Sequence, residues 1–180
     1  MNDNKYEVLL GVCGGIAAYK SATLVSLLRK ADVGVTVVMT DAACELVAPK
    51  TFEALSGRPV ARSMWGERLV HPHIELARQA SLFCIAPATA NIIAKSAQGL
   101  ADDLMSATIL AFQGKLLFAP AMNSVMWQKP ATQRNVELLR CDGAIIVGPQ
   151  SGRLSCGESG PGRMVEPEEL FQVVLKELKE

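Results

Sequence analysis

Five short, continuously apolar segments constrain the fold of this chain more than any other feature. They span residues 7–13, 34–40, 82–87, 115–120 and 144–148. None shows the alternation of apolar and polar residues that marks a strand with one face in water. Continuous apolar runs of this length predict strands buried on both faces, as in a parallel sheet.

Segments of helical periodicity separate these runs. In residues 17–30, one helical face carries Ala18, Ala22, Val25 and Leu28. Strands that alternate with helices form β-α-β crossovers and place helices on both faces of the sheet. The predicted fold is therefore α/β, a Rossmann-like (flavodoxin-like) doubly wound parallel sheet. The other predicted helices cover residues 90–98, 102–112, 132–141 and 166–179.

Length and composition narrow the functional classes. A chain of 180 residues is expected to form a single domain, 1–180. Its 18 basic and 18 acidic residues leave no positive excess for nucleic-acid binding. The longest uncharged stretch, 79–94, contains Gln, Pro, Thr and Asn and does not predict a membrane span. No membrane or nucleic-acid partner is therefore expected.

The N-terminus and the cysteines predict a cytoplasmic protein. Asp3 and the lack of a long apolar stretch argue against a signal peptide. The five cysteines form no CxxC pair, so free thiols are expected and no metal site. A mean hydropathy of +0.22 suggests that other subunits cover some apolar surface.

Two segments resist assignment to helix or strand. Residues 63–73 form a predicted loop that ends with both histidines. Residues 148–163 contain five glycines and two prolines and predict a long loop. Long loops in compact domains are often lids or binding loops, so a substrate lid is expected at 148–164.

The turn after the first strand bears on the cofactor. The dinucleotide fingerprint requires glycine at three positions that here hold Gly11, Cys13 and Ile16, so the pattern fails. Gly14 and Gly15 could bring backbone N–H groups close to an anion at a helix start, or could simply form a tight turn.

Hydroxyl and amide groups follow the second and third strands. Thr40 ends the second strand, where a NAD-binding protein usually has an acid, and Thr89 and Asn91 follow the third. These groups suit a phosphate or a ribityl chain, which favours a mononucleotide such as FMN over a dinucleotide.

Three residues are chemically unusual, and each has a structural alternative. His73 is either a base near neutral pH or a capping or surface histidine. Asn123 follows the fourth strand as a helix N-cap or as a neutral donor to a substrate carboxylate. Cys156 lies in the glycine-rich segment, which favours a thiol on a movable lid over an incidental cysteine. Asp102 and Asp103 are interpreted as an N-cap pair.

Five segments together resemble the flavin-containing cysteine decarboxylase family over nearly the whole chain. Each alone is weak, but all five occur in order with specific separations. They are GGIAAYK at 14–20, HIELA at 73–77, APATAN at 86–91, PAMNSVMW at 120–127 and GRLSCGESGPGRM at 152–164.

The resemblance implies a role for individual residues. His73 matches the essential histidine, Asn123 the residue that holds the substrate carboxylate, and Cys156 the lid cysteine that protonates the intermediate. Relatives form trimers, often assembled into dodecamers, with FMN at subunit boundaries. The positions matching those that hold FMN are Gly14, Gly15, Ile16, Thr40, Thr89, Ala90, Asn91, Ile92 and Ala121.

The implied activity is FMN-dependent decarboxylation of phosphopantothenoylcysteine to phosphopantetheine in coenzyme A biosynthesis. The thiol is transiently oxidised to a thioaldehyde, CO2 leaves, and the enethiol is reduced, so the net reaction is not a redox one. The expected domain organisation has no ligase domain, which many bacterial relatives carry.

Other functions stay open at this point. One is a peptidyl-cysteine decarboxylase that tailors the C-terminal cysteine of a ribosomal peptide, although members that stop at the enethiol tend to lack the cysteine loop. Another is a non-catalytic flavoprotein that regulates a partner. The GRLSCGESGPGRM segment argues against a prenylated-flavin synthase. Arg153 and Arg163 are candidates for phosphate binding only through their proximity to Cys156.

Overall fold

The predicted parallel sheet is present in the computed structural model, which describes residues 6–65, 70–155 and 157–180. Five parallel strands pair in the order β2-β1-β3-β4-β5, which confirms the predicted fold class. This order reverses direction between β1 and β3, as in flavodoxin-like sheets. The strands are β1 (Tyr6–Val12), β2 (Val33–Met39), β3 (Leu82–Ala88), β4 (Lys115–Pro120) and β5 (Ile145–Ile146).

The predicted helices lie close to their expected positions, and four further helices are present among the described residues. The periodic segments become α1, α5, α6, α8 and α9, each within about two residues of its predicted bounds. The described helices are α1 (Ala18–Lys30), α2 (Asp41–Cys44), α3 (Pro49–Ser56), α4 (Pro72–Gln79), α5 (Ala90–Ala97), α6 (Leu104–Ala111), α7 (Ser124–Gln128), α8 (Pro130–Cys141) and α9 (Pro167–Glu177). None of these described helices has the length and apolar character needed to cross a bilayer.

Both faces of the sheet are buried, as the apolar strands predict. Successive strand residues point to opposite faces, so Leu10 of β1 contributes to one apolar cluster and Leu9 to the other. Helices α1 and α9 cover the first face, with Leu24 and Val174 fully buried. The second face, which includes Phe83, is covered by α4, α5, α6 and α8. The core therefore holds the strand ends in fixed positions.

The glycine-rich segment differs from the predicted loop. It contains an antiparallel hairpin of β6 (Gln150–Arg153) and β7 (Ser159–Arg163), separate from the main sheet. Glycine and proline are unfavourable in strands, so the composition of this segment predicts a loop and not a hairpin. The other predicted loop also ends earlier, because Pro72 begins α4 and places His73 in its first turn.

Candidate functional site

A cavity of about 890 Å³ lies beyond the carboxyl ends of the parallel strands. This volume is within the range of small-molecule and cofactor sites. The segments after β1, β2, β3 and β4 supply one side, and the β6–β7 hairpin supplies another. The cavity includes the turns after β1 and β3, between which the sheet order reverses, and ligands bind at such positions in open α/β sheets.

All nine predicted cofactor residues line this single cavity, and so does Asn123. They come from four separate turns, so their convergence is a property of the tertiary fold. Their individual roles remain predictions. The nine are Gly14, Gly15, Ile16, Thr40, Thr89, Ala90, Asn91, Ile92 and Ala121.

The two glycines after β1 differ in what surrounds them. A Cβ added at Gly14 would lie 2.4 Å from the Cβ of Ala42, so packing against α2 requires glycine there. A Cβ at Gly15 would lie 3.5 Å from Cγ of Pro87, an ordinary contact. Alanine would therefore fit at position 15 without a clash. Close packing requires glycine at position 14, whereas Gly15 lines the cavity near the start of α1 without such a requirement.

Thr40 and Thr89 each combine helix capping with exposure to the cavity. Thr40 Oγ1 accepts a hydrogen bond from the backbone N–H of Ala43 at 3.3 Å, and Thr89 Oγ1 accepts one from Ile92 at 3.4 Å. A hydroxyl that accepts a bond still carries a proton to donate. Each threonine therefore has a donor for an anionic or polyhydroxylic ligand.

Asn123 is the N-cap that one of its two interpretations predicts, and its role toward a substrate carboxylate stays a prediction. Its Oδ1 accepts from the backbone N–H of Val125 at 2.8 Å, which caps the short helix α7. Its Nδ2 donates to a carboxylate oxygen of Glu158 on the hairpin side at 3.1 Å. Capping orients the amide so that its NH2 group binds a carboxylate.

A buried lysine in the cavity wall was missed in the sequence. The Lys20 side chain is 9% exposed, and its Nζ donates to the carbonyl of Met164 at 3.2 Å and lies 3.0 Å from Glu166. The bond from Lys20 lowers the pKa of Glu166 below its usual value, and Arg163 contributes in the same direction. The sequence signal that could have identified Lys20 is its position as the only charged residue in the GGIAAYK segment.

Asp103 also lines the cavity, in addition to its predicted role. It forms the expected N-cap of α6 in a capping box with Ser106, which confirms the structural interpretation for this residue. Asp102 does not cap; it lies 2.6 Å from Nζ of Lys95, which also binds Asp103. One lysine thus bridges the two carboxylates.

The thiol that contacts the cavity is a poor nucleophile. Burial raises the pKa of Cys13 to about 12, so the thiol stays protonated at neutral pH. The predicted catalytic thiol, Cys156, lies outside the described residues.

The fold does not bring His73 to the cavity of its own chain. His73 is on α4, which packs against α6, and it is absent from the described cavity lining. Its Nδ1 is buried and meets no hydrogen-bond partner within the described parts of the chain. A catalytic role for His73 therefore needs a neighbouring protomer or a different arrangement of α4.

Sequence comparison places these features in a wider context. The "Flavoprotein" family model matches residues 1–179. The coenzyme A biosynthesis bifunctional protein CoaBC of Mycobacterium tuberculosis is 47% identical over 164 residues, 91% of this chain and 39% of that protein. The Bacillus subtilis CoaBC is 44% identical over 179 residues, 98% of this chain and 44% of that protein. The chain thus spans about two fifths of the length of these curated relatives.

Solved structures match over almost the whole chain. A PPC decarboxylase mutant complexed with pantothenoylaminoethenethiol has a TM-score of 0.86 and 30% identity, covering 97% of this chain and 99% of that chain. The FMN-dependent cysteine decarboxylase SpaF has a TM-score of 0.84 and 35% identity, covering 98% and 99%. The FMN-binding protein AtHal3 has a TM-score of 0.82 and 31% identity, covering 96% of each chain.

Proposed function

This chain belongs to the flavoprotein family, and we propose that it is an FMN-dependent carboxy-lyase that converts phosphopantothenoylcysteine to phosphopantetheine. One observation carries the proposal: Asn123 and every residue expected to hold FMN line the same cavity. The similarity to CoaBC proteins and to a PPC decarboxylase supports the substrate and a place in coenzyme A biosynthesis.

The cavity residues suit FMN on chemical grounds. Gly15 lines the cavity near the start of α1, where the N-terminal end of a helix favours an anion such as a phosphate. Thr40 and Thr89 keep hydroxyl protons to donate to phosphate or ribityl oxygens. When bound, FMN supplies a reversible two-electron acceptor, which allows the substrate thiol to be oxidised and then restored.

The side chains have separate tasks. Asn123 offers a neutral N–H donor to the substrate carboxylate, so the charge of the carboxylate is held without an ion pair that would stabilise the ground state. His73 assists removal of the thiol proton. Cys156 returns a proton to carbon after CO2 has left, which lets the enethiol be reduced. The buried Cys13 takes no part, because its thiol stays protonated.

A tailoring enzyme for peptides is the second candidate. SpaF, an FMN-dependent cysteine decarboxylase, has a higher identity to this chain, 35%, than the PPC decarboxylase structure has, 30%. The substrate of the second candidate is the C-terminal cysteine of a ribosomal peptide. The glycine-rich segment with Cys156 favours the first candidate, because completing the reduction requires a proton donor.

The domain and assembly complete the proposal. We propose one FMN-binding decarboxylase domain over 1–180, with the lid at 148–164, in a cytoplasmic homotrimer or a dodecamer built from trimers. Exposed apolar side chains such as Tyr19, Leu110 and Val125 suit contacts between protomers. In such an assembly, His73 of one protomer reaches the cavity of the next.

Substrate conversion with mass detection tests the proposal. Purified holoenzyme is given phosphopantothenoylcysteine and, separately, a peptide that ends in cysteine. We expect phosphopantetheine from the first and no loss of CO2 from the second; the reverse result would establish the second candidate. Cys156→Ser is expected to release CO2 but to accumulate the oxidised enethiol. Cys141→Ser, at an exposed cysteine of α8, is the matched control and should give full product.

Mixed oligomers test the shared site. His73→Asn and Asn123→Ala are each expected to be inactive alone. Unfolding and refolding the two together should restore part of the activity if His73 and Asn123 act from different protomers. If no activity is restored, the shared site is contradicted. The decarboxylase proposal is not affected by that result, because the substrate test above decides it.

A further inference from the structure

The β6–β7 hairpin is docked onto the segment that carries Asn123. The backbone N–H of Met122 donates to the carbonyl of Gly162 at 2.9 Å. A Cβ at Gly162 would lie 2.2 Å from the carbonyl oxygen of Met122, so the two backbones are in direct contact. Gly160 passes as closely over Ser124, whose hydroxyl is buried and has no hydrogen-bond partner among the described residues.

The Asn123 amide is engaged by a carboxylate of this same chain. Its Nδ2 donates to Oε2 of Glu158 at 3.1 Å. The backbone near Glu158 is also fixed, because its carbonyl accepts from the N–H of Leu154 at 2.7 Å. The backbone of Glu158 is therefore held beside Asn123 by a hydrogen bond within the hairpin.

We propose that Glu158 occupies the position that the substrate carboxylate takes on Asn123, so that the substrate must displace it in order to bind. The inference rests on the proposed function, in which Asn123 holds the substrate carboxylate. Because Oδ1 of Asn123 accepts from the backbone N–H of Val125, its NH2 group is the part of the amide that can donate to a carboxylate. Two carboxylates at this NH2 group would repel each other, so Glu158 and the substrate exclude one another.

This competition couples substrate binding to the hairpin. With Glu158 displaced, the hairpin loses its side-chain contact to Asn123 and keeps the backbone hydrogen bond between Met122 and Gly162. Because one of these contacts is then lost, the hairpin is expected to move more easily when substrate is bound. Glu158 thus holds the hairpin closed in the absence of substrate and lowers the apparent affinity for carboxylates.

A paired binding measurement separates this competition from a general effect on the cavity. The FMN-loaded enzyme is titrated with the serine analogue of phosphopantothenoylcysteine, which keeps the carboxylate and has no thiol. It is then titrated with the same analogue without its carboxyl group. Competition from Glu158 raises the apparent Kd of the first ligand. The second ligand has no carboxylate to bind the NH2 group of Asn123, so its Kd should not depend on Glu158.

Glu158→Ala is expected to lower the Kd of the carboxylate analogue by about 3- to 10-fold, the range for losing one hydrogen bond to a charged group at an exposed site. The Kd of the decarboxylated analogue should change by less than about twofold. Glu158→Gln keeps an acceptor without the charge and should lie between wild type and Glu158→Ala. Glu168→Ala, at an exposed carboxylate of α9 outside the cavity lining, is the control and should match wild type.

Three outcomes overturn the inference. They are an unchanged or weaker affinity of Glu158→Ala for the carboxylate analogue, an equal change for both analogues, and an undiminished effect of Glu158→Ala in an Asn123→Ala background. If wild type fails to convert phosphopantothenoylcysteine, the proposed function itself fails, and the inference with it. If wild type converts the substrate but Glu158→Ala shows no selective gain, only the inference fails.

Discussion

Replacing each glycine of the first turn by alanine separates packing from cofactor binding. At Gly14, the new Cβ would lie 2.4 Å from Cβ and 3.0 Å from the carbonyl carbon of Ala42, so the backbone of α2 must shift. At Gly15, the nearest atoms are Cγ of Pro87 at 3.5 Å and Cγ2 of Thr89 at 3.7 Å, ordinary contact distances. Gly14→Ala is therefore expected to affect stability, and Gly15→Ala is expected to affect FMN binding.

The expected magnitudes follow from these contacts. Overpacking at Gly14 should lower the free energy of unfolding by about 1–3 kcal/mol, and thus Tm by roughly 2–12 °C for a domain of this size. Gly15→Ala should leave Tm of the FMN-free protein within about 2 °C of wild type, because its strain-free methyl group also restricts the unfolded chain. Because Gly15 and Thr89 both line the cavity, a methyl group between them is expected to narrow the space for FMN, and a comparable steric penalty corresponds to a roughly 10- to 100-fold weaker affinity for FMN.

Thermal unfolding of the FMN-free proteins and a fluorescence titration with FMN provide the two readouts. The expected pattern is a destabilised Gly14→Ala and a stable Gly15→Ala that binds FMN weakly. An unchanged FMN affinity in Gly15→Ala would refute the placement of the cofactor against this turn. A Gly14→Ala protein as stable as wild type would refute the packing argument.

Three further predictions concern titratable groups. His73→Asn should retain FMN, since His73 does not line the cavity of its own chain, and should lose turnover; normal turnover would exclude His73 as the base. Because Lys20 lowers the pKa of Glu166 in the folded state, the ion pair stabilises the protein above pH 4.5, and this contribution is lost as the pH falls through the folded-state pKa. In urea unfolding, Glu166→Gln should have a lower free energy of unfolding than wild type at pH 7, and the difference should shrink in acid. A difference that does not change with pH would contradict this. Cys13, with a pKa of about 12, should resist a thiol reagent at pH 8 that labels the exposed Cys141, and equal labelling rates would contradict its burial.

Local sequence pattern determined the layers of the fold and most of the cavity. Continuous apolar runs predict strands buried on both faces, and such strands require helices on each side. Since parallel strands end at one edge of the sheet, residues directly after them converge there, as Gly15, Thr40, Thr89 and Asn123 do. Both the N-cap of Asn123 and its place at the cavity follow from its position after β4.

Only the tertiary structure decided which distant groups meet. Lys20 finds its partner carbonyl 144 residues away, and Glu158 meets Asn123 across 35 residues. Such pairs leave no periodic signal in the sequence, because they depend on how the hairpin and α9 dock rather than on the local backbone. The hairpin itself forms in a segment rich in glycine and proline, which local propensity disfavours in strands. Periodicity thus specifies the elements and the edge of the sheet where they end, while docking between elements specifies the charges and hydrogen bonds inside the cavity.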